Sequence, residues 1–268
     1  MVSPLQTLTR AQGNLIRSLL RDKKVRTKEG AFVVEGAKFC RDLIHRHPGS
    51  ILCLTVSPRY LRTEEEAGRL TRSSLSARQF TCSDEVFEKL SDLETPQGIL
   101  AVVRQPEWDE TQIWAQARVL GLYGEQLRDP LNVGAIIRTA AALNLTGLWL
   151  SSDSADCFGP KVVRAAAGSV MALPIFRMSN FQRFCDHRCA IYSAVVPSPD
   201  AVPLRTIQEV PRRLMIAVGN EGQGLASDLL KASSLKFSIP LSRNVESLNV
   251  AATAAISAFY LSGLPVRP

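Results

Sequence analysis

Apolar residues recur along this chain in two rhythms. Leu15, Ile16, Leu19 and Leu20 fall at helical spacing and predict a helix over residues 10–21. A basic turn follows. Residues 31–35 read as a short strand ending at Gly36, and residues 37–45 as a helix. The apolar and β-branched run 51–57, stopped by Pro58, reads as a buried strand. Ser83 ahead of Asp84 and Glu85 marks a helix start, giving a helix over 84–90, and residues 98–103 form a further strand. Alternating strands and helices predict an α/β unit ending near residue 104. The polar, proline-interrupted stretch around Arg104, Pro106 and Trp108 suits a linker. The expected division is a first domain over 1–104, a linker over 105–116 and a second domain over 117–268.

The alternation resumes in the second half. Strands are expected at 118–123, 147–150, 174–177, 190–195, 214–218 and 235–239. Helices are expected at 131–143, 162–168, 181–189, 225–232 and 247–262. This order predicts a mostly parallel sheet with helices on both faces.

Composition narrows the class. The 268 residues are 46% hydrophobic and 21% charged, which is the make-up of a folded chain. No apolar run approaches the ~18–20 residues of a membrane span, so no membrane partner is expected. Six cysteines form no Cys-x-x-Cys, and no signal peptide opens the chain, which predicts a reduced, cytoplasmic protein. Cys185, His187 and Cys189 lack a fourth ligand, so no metal is expected there. The three histidines lie outside every motif below, which speaks against histidine acid–base chemistry.

The net charge is +7 and unevenly spread. Residues 1–104 hold 17 Lys or Arg against 12 Asp or Glu, and the remainder 15 against 13. Arg10, Arg17, Arg21, Lys23, Lys24, Arg26 and Lys28 cluster with only Asp22 opposing them up to residue 28. Such a run is either a solvated helix face or a footprint for a nucleic-acid backbone.

Three stretches carry candidate chemistry. The first runs Asp129-Pro130-Leu131-Asn132-Val133-Gly134 and on to Arg138, where a strand gives way to a helix. Asn132 suits a helix cap, and Arg138 either snorkels to solvent or clamps a phosphate or carboxylate. In the second, an apolar strand enters Gly219-Asn220-Glu221-Gly222-Gln223-Gly224. Strand ends of this kind hold ligands in open α/β sheets. The glycine spacing is neither the dinucleotide fingerprint nor a phosphate loop, and Glu221 suits a cationic or donor-bearing ligand. The third runs from Ile239-Pro240 to Ser247-Leu248-Asn249-Val250 and an alanine-rich helix. Ser247 suits a helix cap, while Asn249 is expected to fix loop backbone or a ligand.

In kind and order these resemble the three signature motifs of the SpoU/TrmH family of SPOUT-superfamily RNA 2′-O-ribose methyltransferases, over residues 115–262. Pro160-Lys161-Val162-Val163-Arg164 through Gly168 is similar to a further family stretch. Phe32-Val33-Val34-Glu35-Gly36 and Thr95-Pro96-Gln97-Gly98 resemble the L30e-like RNA-binding domain that precedes the catalytic domain in the ribosomal-RNA branch. The resemblance implies an α/β, SPOUT-type, mostly parallel sheet with a C-terminal trefoil knot, after a smaller L30e-like α/β domain. It implies S-adenosylmethionine as cofactor, held by Gly219, Glu221, Gly222, Ile239 and Leu248. It gives Arg138 the central catalytic role: binding the target phosphate and assisting 2′-hydroxyl deprotonation, as base or by positioning alone. Asn132, Glu221, Ser247 and Asn249 would orient Arg138, the ribose or the cofactor. The expected partners are ribosomal RNA, ahead of tRNA, and a second copy of the chain. A non-catalytic RNA-binding or ribosome-assembly protein is the rival of another class, and a resistance methyltransferase shares the motifs.

Overall fold

The structure, a computed structural model, describes residues 5–66, 77–220, 222–243 and 245–267. The chain forms two compact units, one of Met1–Pro106 with Phe158–Met171, the other of Glu107–Cys157 with Ala172–Pro268.

In the first unit, α1 (Arg10–Arg21) opens with a capping box in which Thr9 and Gln12 satisfy each other's backbone N–H groups. It buries Ile16, Leu19 and Leu20 of the expected stripe, while Leu15 stays exposed. The stretch expected to turn is instead α2 (Lys23–Glu29). Asp22 caps it by accepting from Lys24 N (2.7 Å), and Gly30 ends it at φ 57°. The sheet contains β1 (Gln6–Thr7), β2 (Ala31–Glu35), β3 (Ile51–Val56), β4 (Arg78–Thr81) and β5 (Ile99–Arg104). Its order is β1-β4-β3-β5-β2, with β5 antiparallel to β2 and β3 and the other pairs parallel. Three further helices are α3 (Ala37–Arg46), α4 (Pro58–Glu66) and α5 (Asp84–Leu90). Leu19, Phe87, Leu90, Leu100 and Val102 share one apolar cluster.

The second unit holds α6 (Glu110–Trp114), β6 (Val119–Gly124), α7 (Pro130–Ala142) and β7 (Gly147–Ser151). After α8 (Pro160–Ala165), which belongs to the first unit, come β8 (Ile175–Met178), α9 (Gln182–Asp186), β9 (Ala190–Ala194), β10 (Val202–Pro203) and β11 (Arg213–Val218). The chain closes with α10 (Ser227–Ala232), β12 (Leu235–Ser238) and α11 (Val250–Ser262). The sheet order is β10-β12-β9-β11-β6-β7-β8, and every pair is parallel. This is the expected α/β class. After the strand β12 the chain returns to lay α11 on α7, β6 and β11, in keeping with trefoil threading.

Two expected boundaries change. Residues 105–116 are more than a linker, because Ile113 and Trp114 of α6 are buried in the second core. Glu110 fixes that helix by accepting from Trp114 Nε1 (3.2 Å) and Trp149 Nε1 (2.8 Å). Residues 158–171 do not belong with the rest of 117–268. The rings of Phe158 and Phe32 meet with centroids 5.1 Å apart, tilted by 39°, α8 packs on β2, and Arg164 pairs with Asp92 at 3.3 Å.

Candidate active site

The carboxyl ends of β9, β11 and β12 surround a cavity of about 400 Å³. Parallel strands expose their loops together at that end, where the strand order changes direction. Gly219, Gly222, Ile239, Ser247 and Leu248 line it. The second and third motifs thus share one space. Glu221 lies outside the described residues.

The second-motif loop folds back on itself. A Cβ on Gly219 would sit 2.3 Å from Gly224 C and O, so only glycine allows the approach. Gly224 takes φ +70°. Asn220 holds the turn: its Oδ1 accepts from Gly222 N (2.8 Å) and Gln223 N (3.3 Å), and its Nδ2 donates to Gln126 O (3.0 Å). That last bond ties the loop to the segment leading into α7. Glu125 adds a second tie by accepting from Ala226 N (2.7 Å). Sequence reading singled out neither residue. The signal for Asn220 was its position inside a glycine-rich turn, where asparagine commonly bonds backbone two residues on.

Asn132 and Asn249 meet. Asn249 Nδ2 donates to Asn132 Oδ1 at 2.9 Å, joining the first motif to the third. Neither cap is the expected one. Asp129 caps α7 by accepting from Leu131 N, with Pro130 at the first helical position, which leaves Asn132 inside the first turn. Asn249, not Ser247, caps α11, its Oδ1 accepting from Ala251 N (2.9 Å) and Ala252 N (3.3 Å). Ser247 is exposed at the cavity lining instead. Arg138 follows Asn132 by six residues, about 9 Å along the helix axis. It is exposed, makes no ion pair or hydrogen bond among the described residues, and is not among those lining the cavity.

The basic cluster divides. Arg10, Arg21, Lys23, Lys24 and Lys28 are exposed, and the half-buried Arg17 donates to Asn14 Oδ1 (2.6 Å). Arg26 is 5% exposed and is therefore not available to RNA. Its Nη1 donates to the carbonyls of Leu19 (2.6 Å) and Leu20 (3.2 Å), satisfying the orphan end of α1.

Residues 120–259 match the family described as SpoU rRNA Methylase family, and residues 16–101 match the MRM3-like substrate binding domain. The chain belongs to the SpoU rRNA methylase family. A relative in Bacillus subtilis, named 23S rRNA (guanosine(2553)-2′-O)-methyltransferase, is 32% identical over 250 residues, covering 91% of this chain and 93% of its own. One in Streptomyces viridochromogenes, named 23S rRNA (uridine(2479)-2′-O)-methyltransferase, is 28% identical over 254 residues, covering 91% of this chain and 86% of its own. The crystal structure of an AdoMet-bound rRNA methyltransferase from Sinorhizobium meliloti superposes with a TM-score of 0.79 at 26% identity, covering 96% of this chain and 95% of that one. SpoU membership thus agrees with the three motifs and with the parallel sheet that carries them.

Proposed function

We propose that this chain transfers the methyl group of S-adenosylmethionine to a ribose 2′-hydroxyl of ribosomal RNA, with large-subunit RNA as substrate. The observation that carries the reading is the Asn132–Asn249 hydrogen bond beside a cavity built from the second and third motifs. The cavity fits the cofactor in size, since small-ligand sites run from roughly 300 to 1,000 Å³. It fits in chemistry as well. Among the described lining residues Glu246 is the only charged one, which suits a sulfonium better than a phosphate. Gly219, Gly222, Ile239 and Leu248 would hold the cofactor, with Glu221 beside them. The cofactor supplies an electrophilic methyl carbon.

The rest is done by the chain. The 2′-hydroxyl loses its proton as its oxygen attacks, and no histidine lines the cavity. Arg138 binds the phosphate next to the target ribose, and its positive charge favours the oxyanion that forms as the hydroxyl proton passes to solvent water. A guanidinium stays charged in proteins, so its electrostatic hold on the phosphate is the part of the role favoured by its chemistry. Asn132 and Asn249 set the angle of α7 to the third-motif loop, and Ser247 faces the ribose.

The active form is a homodimer. Leu131 on α7 and Ile256 and Phe259 on α11 are 60%, 42% and 72% exposed, on two helices that pack together. A second copy covering them brings its first unit to hold the RNA. Arg10, Arg17, Arg21, Lys23, Lys24 and Lys28 of that unit contact phosphates. The compartment is the cytoplasm: all six cysteines are free, and no helix among the described residues is long and apolar enough to cross a membrane.

Mapping 2′-O-methyl sites in total RNA with and without the gene tests the proposal. A single large-subunit site lost with the gene is the expected result. Loss of a tRNA site moves the enzyme to the other branch, and an unchanged map refutes methyl transfer.

A further inference from the structure

At the opposite end of the same sheet lies a second cavity, of about 480 Å³, lined by Ala117, Arg188, Pro211, Arg212, Arg213 and Arg267. Four of its six lining residues are arginines, and none is acidic. They come from separate parts of the second unit. Ala117 and Arg188 precede β6 and β9, Arg213 begins β11, and these three strands are neighbours in the sheet. Arg267 arrives from the C-terminal tail, where its backbone N–H donates to Val210 O (2.8 Å).

Two features make this more than scattered surface charge. The Arg213 guanidinium is locked, Nη1 donating to His187 O (3.0 Å) and Nη2 to Trp114 O (2.9 Å). Two of its five N–H groups are used, leaving three for a ligand. Beside it Arg188 and Arg212 are exposed and make no ion pair or side-chain hydrogen bond among the described residues. Arg267 pairs with Glu209 at 2.9 Å, an acid outside the lining. Gathering several like charges is unfavourable unless an anion joins them, and planar guanidinium forks match phosphate oxygens.

We propose that this cavity binds the phosphodiester backbone of RNA, apart from the site of methyl transfer. The choice of RNA rests on the substrate proposed above. β11 joins the two ends: Arg213 stands at the arginine cavity and Val218 at the cofactor cavity. Five strand steps of ~3.3 Å separate them by about 17 Å. The phosphate held here therefore belongs to nucleotides several positions from the methylated one, and the site grips a long RNA.

The test is the salt dependence of binding to a large-subunit rRNA transcript, followed by fluorescence anisotropy. Arg188→Gln with Arg212→Gln removes two cations that have no side-chain partner among the described residues. Each phosphate contact contributes about 0.7–0.9 to the log–log salt slope, so the slope should fall by about 1.4–1.8. S-adenosylmethionine affinity by calorimetry and the melting temperature should not move. A control with Arg205→Gln and Lys231→Gln, exposed cations of the same unit outside the cavity, should keep the wild-type slope. An unchanged slope in the first variant, or an equal fall in the control, overturns the site. Competition by polyglutamate as strong as by RNA overturns the backbone as its ligand in favour of any acidic chain. A wild-type protein that binds no rRNA overturns the substrate reading and this site together, whereas wild-type binding that the variant retains overturns this site alone.

Discussion

Among the described residues Asn249 has two tasks that two substitutions can separate. Its Oδ1 closes the start of α11, and its Nδ2 holds Asn132. Asn249→Ala removes both. A lost N-cap costs about 1 kcal/mol and a lost net hydrogen bond about 1 kcal/mol more. At roughly 2–4 °C per kcal/mol for chains of this size, the second unit should melt about 4–8 °C lower. Asn249→Asp keeps an oxygen for the cap and adds a negative charge at the helix N-terminus, which the helix dipole favours by about 0.3–1 kcal/mol. It has no donor for Asn132 Oδ1 and sets two oxygens against each other. This variant should melt within about 2 °C of wild type. It should still methylate poorly, with kcat about tenfold down, the equivalent of ~1.4 kcal/mol of misplaced geometry. Calorimetric melting and initial rates with tritiated cofactor at saturating RNA read the two effects separately. An Asp variant that melts as low as the Ala variant would show the Asn–Asn bond to be structural. One with full kcat would remove the bond from the positioning of the first motif.

Arg138→Ala should reduce methylation to background while cofactor affinity by calorimetry stays unchanged, because Arg138 does not line the cofactor cavity; retained turnover would sink its role. Gln in place of Arg21, Lys23 and Lys24 should flatten the salt slope of RNA binding by about 2–3 without changing stability. Arg26→Ala should instead destabilise the first unit by about 1.5–3 kcal/mol in urea unfolding, through its charged bonds to the end of α1. Burial holds the Glu35 carboxyl above its ordinary pKa of 4.5, so the native state keeps this proton to higher pH than the unfolded chain. Stability therefore falls as pH rises from the unfolded value through the native one. Glu35→Gln keeps one acceptor, for Asp92 N, and turns its Nε2 toward Ser91 Oγ, which can accept instead of donating; it should abolish that slope in unfolding midpoints across the acid range. If the proposed dimer forms, wild type should run as a dimer by light scattering and Phe259→Glu as a monomer; a monomeric wild type would overturn the dimer, and a dimeric variant would overturn this face as its interface.

Local signals carried much of the fold. Residues 31–35 and 84–90 match their expected bounds because Gly36 and the Ser83 cap punctuate them. α4 escaped because Arg59, Arg62 and the run Glu64 to Glu66 leave no apolar stripe. β4 escaped because four residues are too few for alternation to register, and its place comes from pairing with β1 and β3. In the site, the order of the motifs was legible while their contacts were not. Asn132 and Asn249 are 117 positions apart, and nothing local says that they bond. Arg26 looked like its exposed neighbours because charge reveals nothing about the carbonyls of Leu19 and Leu20 above it.

The stretch Phe158–Met171 also governs how this chain can be made and cut. The first unit is not finished when residue 106 has been synthesised, because Phe158 and α8 cover part of it. At about 5–20 residues per second, the ribosome supplies that cover only several seconds later. Until then Phe32 lacks the ring of Phe158 and Asp92 lacks Arg164. A fragment ending at residue 106 would be frozen in this half-built condition, and one starting at 117 would carry α8 without the strand β2 on which Val162 and Val163 are buried. Separating RNA binding from methyl transfer on two polypeptides thus requires the loop to be grafted, not a single cut.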